Sequence, residues 1–144
     1  MYYGQEMYLS GGHDPRNREA LWEYGYNGND LIKKLNELRH IAISKDPKYI
    51  TTIAKYLYDD RYQLFYQKRS ILVGLNGQGA LRNIAPYEMR IRGTTYATGE
   101  ELIEILSCDT STAGVREVKV VMKNGAPVVL YPKSLLVGTG ICGL

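Results

Sequence analysis

Asp14 and Arg18 are the residues near the start of the chain with the clearest chemical potential. They lie four positions apart in the polar segment Gly11-Gly12-His13-Asp14-Pro15-Arg16-Asn17-Arg18-Glu19-Ala20-Leu21-Trp22. A carboxylate accepts hydrogen bonds from two adjacent hydroxyl groups, and a guanidinium donates in a planar fork to hydroxyl or ether oxygens. The pair could therefore bind a ligand rich in hydroxyl groups. An Asp-Pro turn closed by a local ion pair explains the same residues without a ligand, and the spacing alone favours that interpretation.

One helix is predicted to follow this segment. Asn29 is a suitable N-cap, and the acidic Asp30 is favourable beside the positive end of the helix dipole. Pro47 should end the helix a few residues after Ile43. The apolar residues that recur at helical spacing, and so form one face, are Leu31, Ile32, Leu35, Leu38, Ile41 and Ala42. His40 belongs to the opposite polar face, where we expect an exposed side chain rather than a metal ligand.

From Tyr49 onward the apolar residues alternate with a period of two. Strands are predicted over 62–67, 70–75, 87–91, 102–106 and 118–122. Asn124-Gly125 favours a hairpin turn because both positions accept a positive φ, and residues 127–132 should complete that hairpin. Short strands at this spacing predict a mainly β fold, an antiparallel Greek-key β-sandwich. The change of pattern divides the chain into 1–48 and 49–144, and we expect the second part to fold by itself.

Length and charge exclude several classes of protein. The chain has 144 residues, whereas a complete (β/α)₈ barrel needs about 200 or more. The net charge of +3 comes from lysines and arginines scattered among acids, which argues against nucleic acid as a partner. No segment approaches the roughly 18 consecutive apolar residues of a membrane helix. The start has neither a basic nor an apolar signal-peptide region. We expect a monomer.

The first part of the chain resembles the region that closes the catalytic barrel of fungal α-amylases in glycoside hydrolase family 13. In that family the last barrel strand ends in Tyr-x-Gly-Gln-Glu, which matches Tyr2-Tyr3-Gly4-Gln5-Glu6. The loop after it has the form Gly-Gly-x-Asp-Pro-x-Asn-Arg-Glu-x-x-Trp. The second part resembles domain C of these enzymes in its strand order, its Leu130-Tyr131-Pro132 and its cysteine-bearing tail. The resemblance implies that residues 1–48 are a remnant of a truncated (β/α)₈ barrel, with its last strand end, substrate loop and last helix, and that 49–144 form the β-sandwich.

This resemblance gives Asp14 and Arg18 a role in substrate binding. In the family, the corresponding side chains hydrogen-bond glucose units on the non-reducing side of the cleaved bond. His13 and Arg16 depart from the asparagine and the small residue that related enzymes often have, so the finer subsite preference does not carry over. Trp22 could stack on a sugar ring, but we expect it to pack its loop against the last helix.

No catalytic residue is predicted in this chain. Retaining cleavage of an α-1,4-glucan needs a nucleophile and a general acid about 5 to 5.5 Å apart. The family carries its carboxylates in Gly-x-Arg-x-Asp, in a glutamate ending the next strand and in Asn-His-Asp, and these motifs do not occur here. Glu6 is interpreted as structural, since the family's catalytic groups lie on earlier strands. The resemblance also places the calcium ligands of the full-length enzymes outside this region, so we predict no cofactor or metal site here and no activity of the chain alone.

Cys108 and Cys142 are the two cysteines of the chain, and their spacing is not of a metal-binding type. A disulfide that ties the C-terminal tail to the sheet is favoured over two buried free thiols. The resembling fungal enzymes have a bridge at corresponding places. A disulfide suits an extracellular protein, yet the chain has no secretion signal, so we expect the native protein to begin further upstream.

Together these observations predict the C-terminal portion of a secreted α-amylase-type glycoside hydrolase whose partner is α-glucan. One alternative is a stand-alone, non-catalytic α-glucan-binding module, which a row of exposed aromatic side chains on one sheet face would favour. Another is a piece of a related fungal cell-wall α-glucanotransferase. The sequence does not separate hydrolase from transferase, because that choice depends on the acceptor side of the active site.

Overall fold

A computed structural model describes residues 4, 7, 9, 12–14, 19–25, 29–79, 84–123 and 125–144 of the chain. The chain forms two compact units, 1–39 and 40–144. The division at residue 48 and the barrel origin of the first part stay predictions. Among the described ranges, no helix has the length and apolar character needed to cross a bilayer.

Helix α1 spans Asp30–Lys45. The side-chain Oδ1 of Asn29 accepts a hydrogen bond from the Leu31 N–H at 2.8 Å, which confirms the predicted cap. The helix ends two residues before Pro47, because proline has no N–H with which to continue the helical hydrogen bonds. Of the predicted apolar face, Leu38 and Ala42 are buried. A short 3₁₀-helix, Leu21–Tyr24, precedes α1.

The described residues of the second unit form eight strands in two antiparallel sheets. The strands are β1 (Lys55–Asp59), β2 (Gln63–Lys68), β3 (Ile71–Asn76), β4 (Tyr87–Arg92), β5 (Glu101–Glu104), β6 (Thr110–Thr112), β7 (Glu117–Met122) and β8 (Val128–Pro132). The larger sheet has the order β1-β2-β3-β8-β5-β6, and β4 pairs with β7 in the smaller one. Helix α2 (Lys133–Leu136) and a 3₁₀ turn (Ile141–Gly143) follow β8. The mainly β antiparallel sandwich predicted from the sequence is confirmed.

The predicted hairpin between β7 and β8 is wrong. A turn does form, since the Ala126 N–H donates to the Lys123 carbonyl at 2.7 Å and Gly125 has a φ of +68°; Asn124 lies outside the described residues. However, β7 pairs with β4, and β8 pairs with β3 and β5. All five residues of β8 are buried, whereas β7 alternates between buried and more exposed positions. A strand that is buried on both faces suits the centre of a large sheet, so the turn carries the chain from one sheet to the other.

The main core lies between the two sheets. It is formed by buried residues of the larger sheet, among them Phe65, Leu72, Leu102 and Leu130, and of the smaller sheet, among them Ile91, Val118, Val120 and Met122. Alternation along the strands turns Ile103, Val129 and Tyr131 to the other side of the larger sheet, where they are buried as well. Helix α2 packs on β5 and β8 and contributes the buried Leu136. The larger sheet therefore has apolar packing on both faces near its centre.

A disulfide joins Cys108, which follows β5, to Cys142 in the C-terminal 3₁₀ turn, with a Cα–Cα distance of 5.4 Å. Both cysteines have positive φ angles, 64° and 55°. The buried Ile141 lies next to the bridge. The predicted pairing is thus present, and it fixes the tail to the loop between β5 and β6.

Candidate functional site

The segment predicted to bind sugar is described at Gly12–Asp14 and from Glu19 to Gly25. His13 and Asp14 lie at a bend and a turn, and both are exposed. Arg18 lies outside the described residues, and so do Gln5 and Glu6. Asp14 is thus an exposed residue, and its geometry relative to Arg18 stays a prediction.

Trp22 is 70% exposed in the 3₁₀-helix that follows this segment. The helix is closed by the Gly25 N–H, which donates to the Trp22 carbonyl at 3.3 Å, and Gly25 has a φ of +64°. This exposure differs from the predicted packing of Trp22 against the last helix. The indole offers a flat apolar face of the kind on which a sugar ring can stack.

A polar cavity of about 350 Å³ lies in the second unit. Its lining includes Lys55, Gln67, Arg69, Thr95 and Glu100. Gln67 is 2% exposed; its Oε1 accepts from the Thr95 N–H at 3.0 Å, while its Nε2 has no protein partner. The cavity's described lining contains no histidine or cysteine. Its side chains can donate and accept hydrogen bonds.

Metal binding finds no support in the described part of the chain, where no cluster of three or more His, Cys, Asp or Glu side chains could hold an ion. Several acidic side chains are instead engaged with backbone N–H groups, with hydroxyl groups or with cations. Asp60, for example, accepts from the N–H groups of Tyr62 and Gln63 at 2.8 and 2.7 Å, which lowers the pKa of its carboxyl below 3.8. These contacts are those of turn-forming carboxylates.

Glu104 is a half-buried carboxylate whose role the sequence did not indicate. It lies at the end of β5, where its Oε1 accepts from the N–H groups of Leu106 and Val129 at 3.2 and 3.0 Å. Its Oε2 accepts from the Ser107 N–H at 2.6 Å. Glu104 thereby shapes the turn that leads to Cys108, and it connects this turn to β8. The alternation of 102–106 predicts a strand through this point, and nothing in the local sequence indicates the bond to Val129.

Replacing Glu104 by alanine is expected to lower the free energy of unfolding by about 2 to 3 kcal/mol, because three backbone donors lose a charged acceptor. Urea unfolding followed by far-ultraviolet circular dichroism measures this loss. Glu101→Ala is the matched control on the same strand: it removes an exposed ion pair with Lys133 at 3.1 Å and should cost less than about 1 kcal/mol. Equal losses for the two variants would contradict the role of Glu104.

The fold and these positions can be compared with known proteins. Residues 56–144 match the family described as Alpha-amylase, domain C. The chain belongs to this family. The match spans the sandwich from β1 to the end of the chain, so the resemblance drawn from the sequence is confirmed.

Curated relatives match beyond the sandwich. Alpha-amylase 1 of Schwanniomyces occidentalis is 36% identical over 99% of this chain and 29% of its own length. The α-amylase of Saccharomycopsis fibuligera is 34% identical over 92% of this chain and 27% of its own length. The domain C chain thus spans less than a third of the length of these relatives.

Solved structures agree with this assignment. The α-amylase of Malbranchea cinnamomea superposes with a TM-score of 0.90 and 35% identity, over 96% of this chain and 30% of that one. An Anoxybacillus α-amylase superposes with a TM-score of 0.62 at 21% identity, which supports the fold alone. The Greek-key sandwich of domain C is therefore established for this chain.

Proposed function

We propose that this chain is the C-terminal portion of a secreted α-amylase-type glycoside hydrolase that acts on α-1,4-glucan with retention of configuration. The carboxylates that cleave the bond would lie in the part of the enzyme outside this chain. The chain contributes a substrate-binding loop and a stabilising β-domain. The observation that carries the proposal is its similarity to fungal α-amylases over nearly its whole length, at less than a third of theirs.

The loop acts by positioning substrate. The carboxylate of the exposed Asp14 would accept hydrogen bonds from two neighbouring glucose hydroxyls, and Arg18 would donate to hydroxyl or ring oxygens. Trp22, exposed a few residues further on, is available for stacking on a sugar face. Loops that follow barrel strands lie at the carboxyl-terminal face, where such barrels bind their substrates.

The β-domain acts through stability. Its own core between the sheets and its disulfide allow it to keep its shape independently of substrate. The bridge suits an oxidising, extracellular compartment, which supports secretion of the parent protein. Calcium, if bound by the parent enzyme, would be held by residues outside this chain.

The substrate role is tested in the full-length enzyme from the native source. Asp14→Ala is expected to lower kcat/KM on soluble starch by about 10- to 100-fold, the effect of losing a charged hydrogen-bonding group. Glu23→Ala, in the neighbouring 3₁₀-helix, is the control and should match the wild type. An Asp14→Ala enzyme with wild-type kcat/KM would remove Asp14 from the site.

The chain by itself is expected to be inactive, because the proposal assigns the cleaving carboxylates to the remainder of the enzyme. Release of reducing sugar from starch by the purified chain is compared with a vector-only preparation. Hydrolysis above that background would overturn this assignment.

A stand-alone α-glucan-binding module is the second candidate. Tyr56 is 56% exposed on β1 and lies opposite Tyr66 on β2, as a binding face would require. Across the sheet, Tyr66 is paired with Val73 on β3, which in turn is paired with Val129 on β8. The aromatic part of this row is therefore confined to the β1 edge of the sheet. Affinity electrophoresis of the chain in amylopectin, with Tyr56→Ala as the variant, distinguishes the candidates: retardation that Tyr56→Ala abolishes would favour the binding module.

A further inference from the structure

The end of α1 is connected to the turn between β2 and β3 by an ion pair. Arg69 Nε donates to Asp46 Oδ2, and the arginine and aspartate side chains are 41% and 23% exposed. Both residues belong to the unit 40–144. Because the aspartate is partly shielded, water and salt screen this pair somewhat less than the more exposed pairs of the sheet surface.

Arg69 occupies a backbone conformation that disfavours it. It is the first residue of the two-residue turn between the paired Lys68 and Ile71, with a φ of +55°. Glycine, asparagine and aspartate are the residues that such a turn favours. The contacts that favour an arginine at this position therefore lie outside the turn.

Asp46 stands where α1 stops. Its N–H donates to the Ala42 carbonyl at 3.0 Å, and its Oδ1 accepts from the Lys48 N–H at 3.0 Å across Pro47. One carboxylate oxygen thus forms the local turn, and the other reaches the sheet. A second contact joins the same two segments, since Lys68 Nζ lies 4.8 Å from the ring centroid of Tyr49.

A pocket of about 290 Å³ that opens to solvent lies beside this ion pair, and its lining is Ala42, Lys45, Asp46, Tyr49, Arg69, Ser70, Tyr131 and Leu135. Side chains that face the pocket have water rather than apolar atoms as neighbours on that side, so they make fewer dispersion contacts there. The ion pair adds a polar contact between the helix end and the sheet at this place.

We propose that Asp46 and Arg69 form a clamp that fixes the end of α1, residues 40–46, on the six-stranded sheet. The clamp supplements the apolar contacts beside this pocket, and it explains an arginine at a turn position that favours glycine. It goes beyond the proposed enzymatic function and does not depend on it, since it concerns contacts inside one unit of this chain.

Hydrogen exchange in the whole chain tests the clamp. Arg69→Gly removes the strain of a positive φ in a residue other than glycine. If the arginine mattered only for the turn, exchange should be equal or slower throughout the chain. The clamp predicts that amides of residues 43–46 exchange about tenfold faster, as local opening of the helix end becomes easier, while β2 and β3 stay protected. Asp46→Asn keeps an oxygen for the Lys48 N–H and should give the same acceleration.

The double variant is the decisive measurement. If the two residues act as one clamp, combining Arg69→Gly with Asp46→Asn should accelerate exchange no more than either change alone. Lys133→Met, which removes the exposed pair with Glu101, is the control and should leave 43–46 unchanged. Unchanged or slower exchange in Arg69→Gly, or full additivity in the double variant, would overturn the clamp.

The clamp also predicts a pH dependence. The hydrogen bond from Arg69, followed by that from the Lys48 N–H, lowers the pKa of Asp46 below 3.8. Its protective effect is therefore complete above about pH 4 and is lost as the pH falls through the lower value of the folded state. The other charged or titratable groups around Asp46 are Lys45, Lys48, Tyr49, Arg69 and Tyr131, and none of them is a carboxyl group or a histidine. The difference between wild type and Asp46→Asn at 43–46 should shrink on acidification; a constant difference would contradict the ionic clamp.

Discussion

Replacing Phe65 by alanine is expected to lower the free energy of unfolding of this domain C chain by about 3 to 5 kcal/mol. The side chain is fully buried between the sheets and packs edge-on against Tyr58, with ring centroids 6.3 Å apart. Its ring also covers Gly74 on β3. Removing the ring leaves a void bounded by two strands that are hydrogen-bonded to each other, and such a site can collapse only partly.

Urea unfolding followed by far-ultraviolet circular dichroism measures this loss. Leu64→Ala, one residue away on the opposite face and 38% exposed, is the matched control and should cost about 1 kcal/mol or less. Similar losses for Phe65→Ala and Leu64→Ala would show that the core does not lie where the sheets place it.

Gly74 makes the same contact testable from the other side. A Cβ at this position would lie within van der Waals overlap of the Phe65 ring. Gly74→Ala is therefore expected to cost about 1 to 3 kcal/mol by overpacking. Adding Phe65→Leu to Gly74→Ala should recover part of that loss, because the smaller side chain vacates the contested space; a purely additive double variant would refute the contact.

The position of most strands could be predicted from the sequence. Alternation placed strands over 62–67, 70–75 and 118–122, and the structure has them over 63–68, 71–76 and 117–122. Period-two patterning is a local property of the chain, and one face of each of these strands is buried. The cap at Asn29 and the stop before Pro47 are local too, and both were predicted for the same reason.

Strand pairing could not be predicted in the same way. The Asn124-Gly125 signal describes four residues, and a turn is found there, but the sheet to which β8 belongs is decided by burial on both of its faces. β8 joins β3 and β5, which are distant in the sequence. Local turn chemistry is therefore compatible with a hairpin and with a crossover between sheets, and only the global packing distinguishes them.

The candidate site divides along the same line. Asp14 was identified because a contiguous motif surrounds it. Glu104, Asp46 and Arg69 have no such motif, since each acts through a partner more than 20 residues away. For Trp22 the expected packing against the last helix is not found, since the side chain is 70% exposed.

Loss of the Cys108–Cys142 bridge is expected to have an effect of similar size to the loss of Phe65. The two cysteines are 34 residues apart, and loop closure of that length corresponds to about 3.5 to 4 kcal/mol as an upper value. Thermal and urea unfolding of Cys108→Ser/Cys142→Ser, and of the wild type with and without a reducing agent, measure the loss. The reduced wild type should converge on the double variant, which itself should not respond to the reductant. A reduced wild type with undiminished stability would show that the bridge does not stabilise the fold.

Backbone strain at the two cysteines allows the bond to be separated from its setting. Both residues have a positive φ, which serine adopts as reluctantly as cysteine, whereas glycine adopts it freely. A Cys108→Gly/Cys142→Gly variant loses the same bond but also the strain, so it is expected to be at least as stable as the serine variant in spite of glycine's larger unfolded-state entropy. If the glycine variant is instead clearly less stable, the left-handed backbone at these positions is held by the bridge and relaxes once the bridge is gone. The tail around Ile141 would then owe its conformation to the covalent link rather than to its own packing.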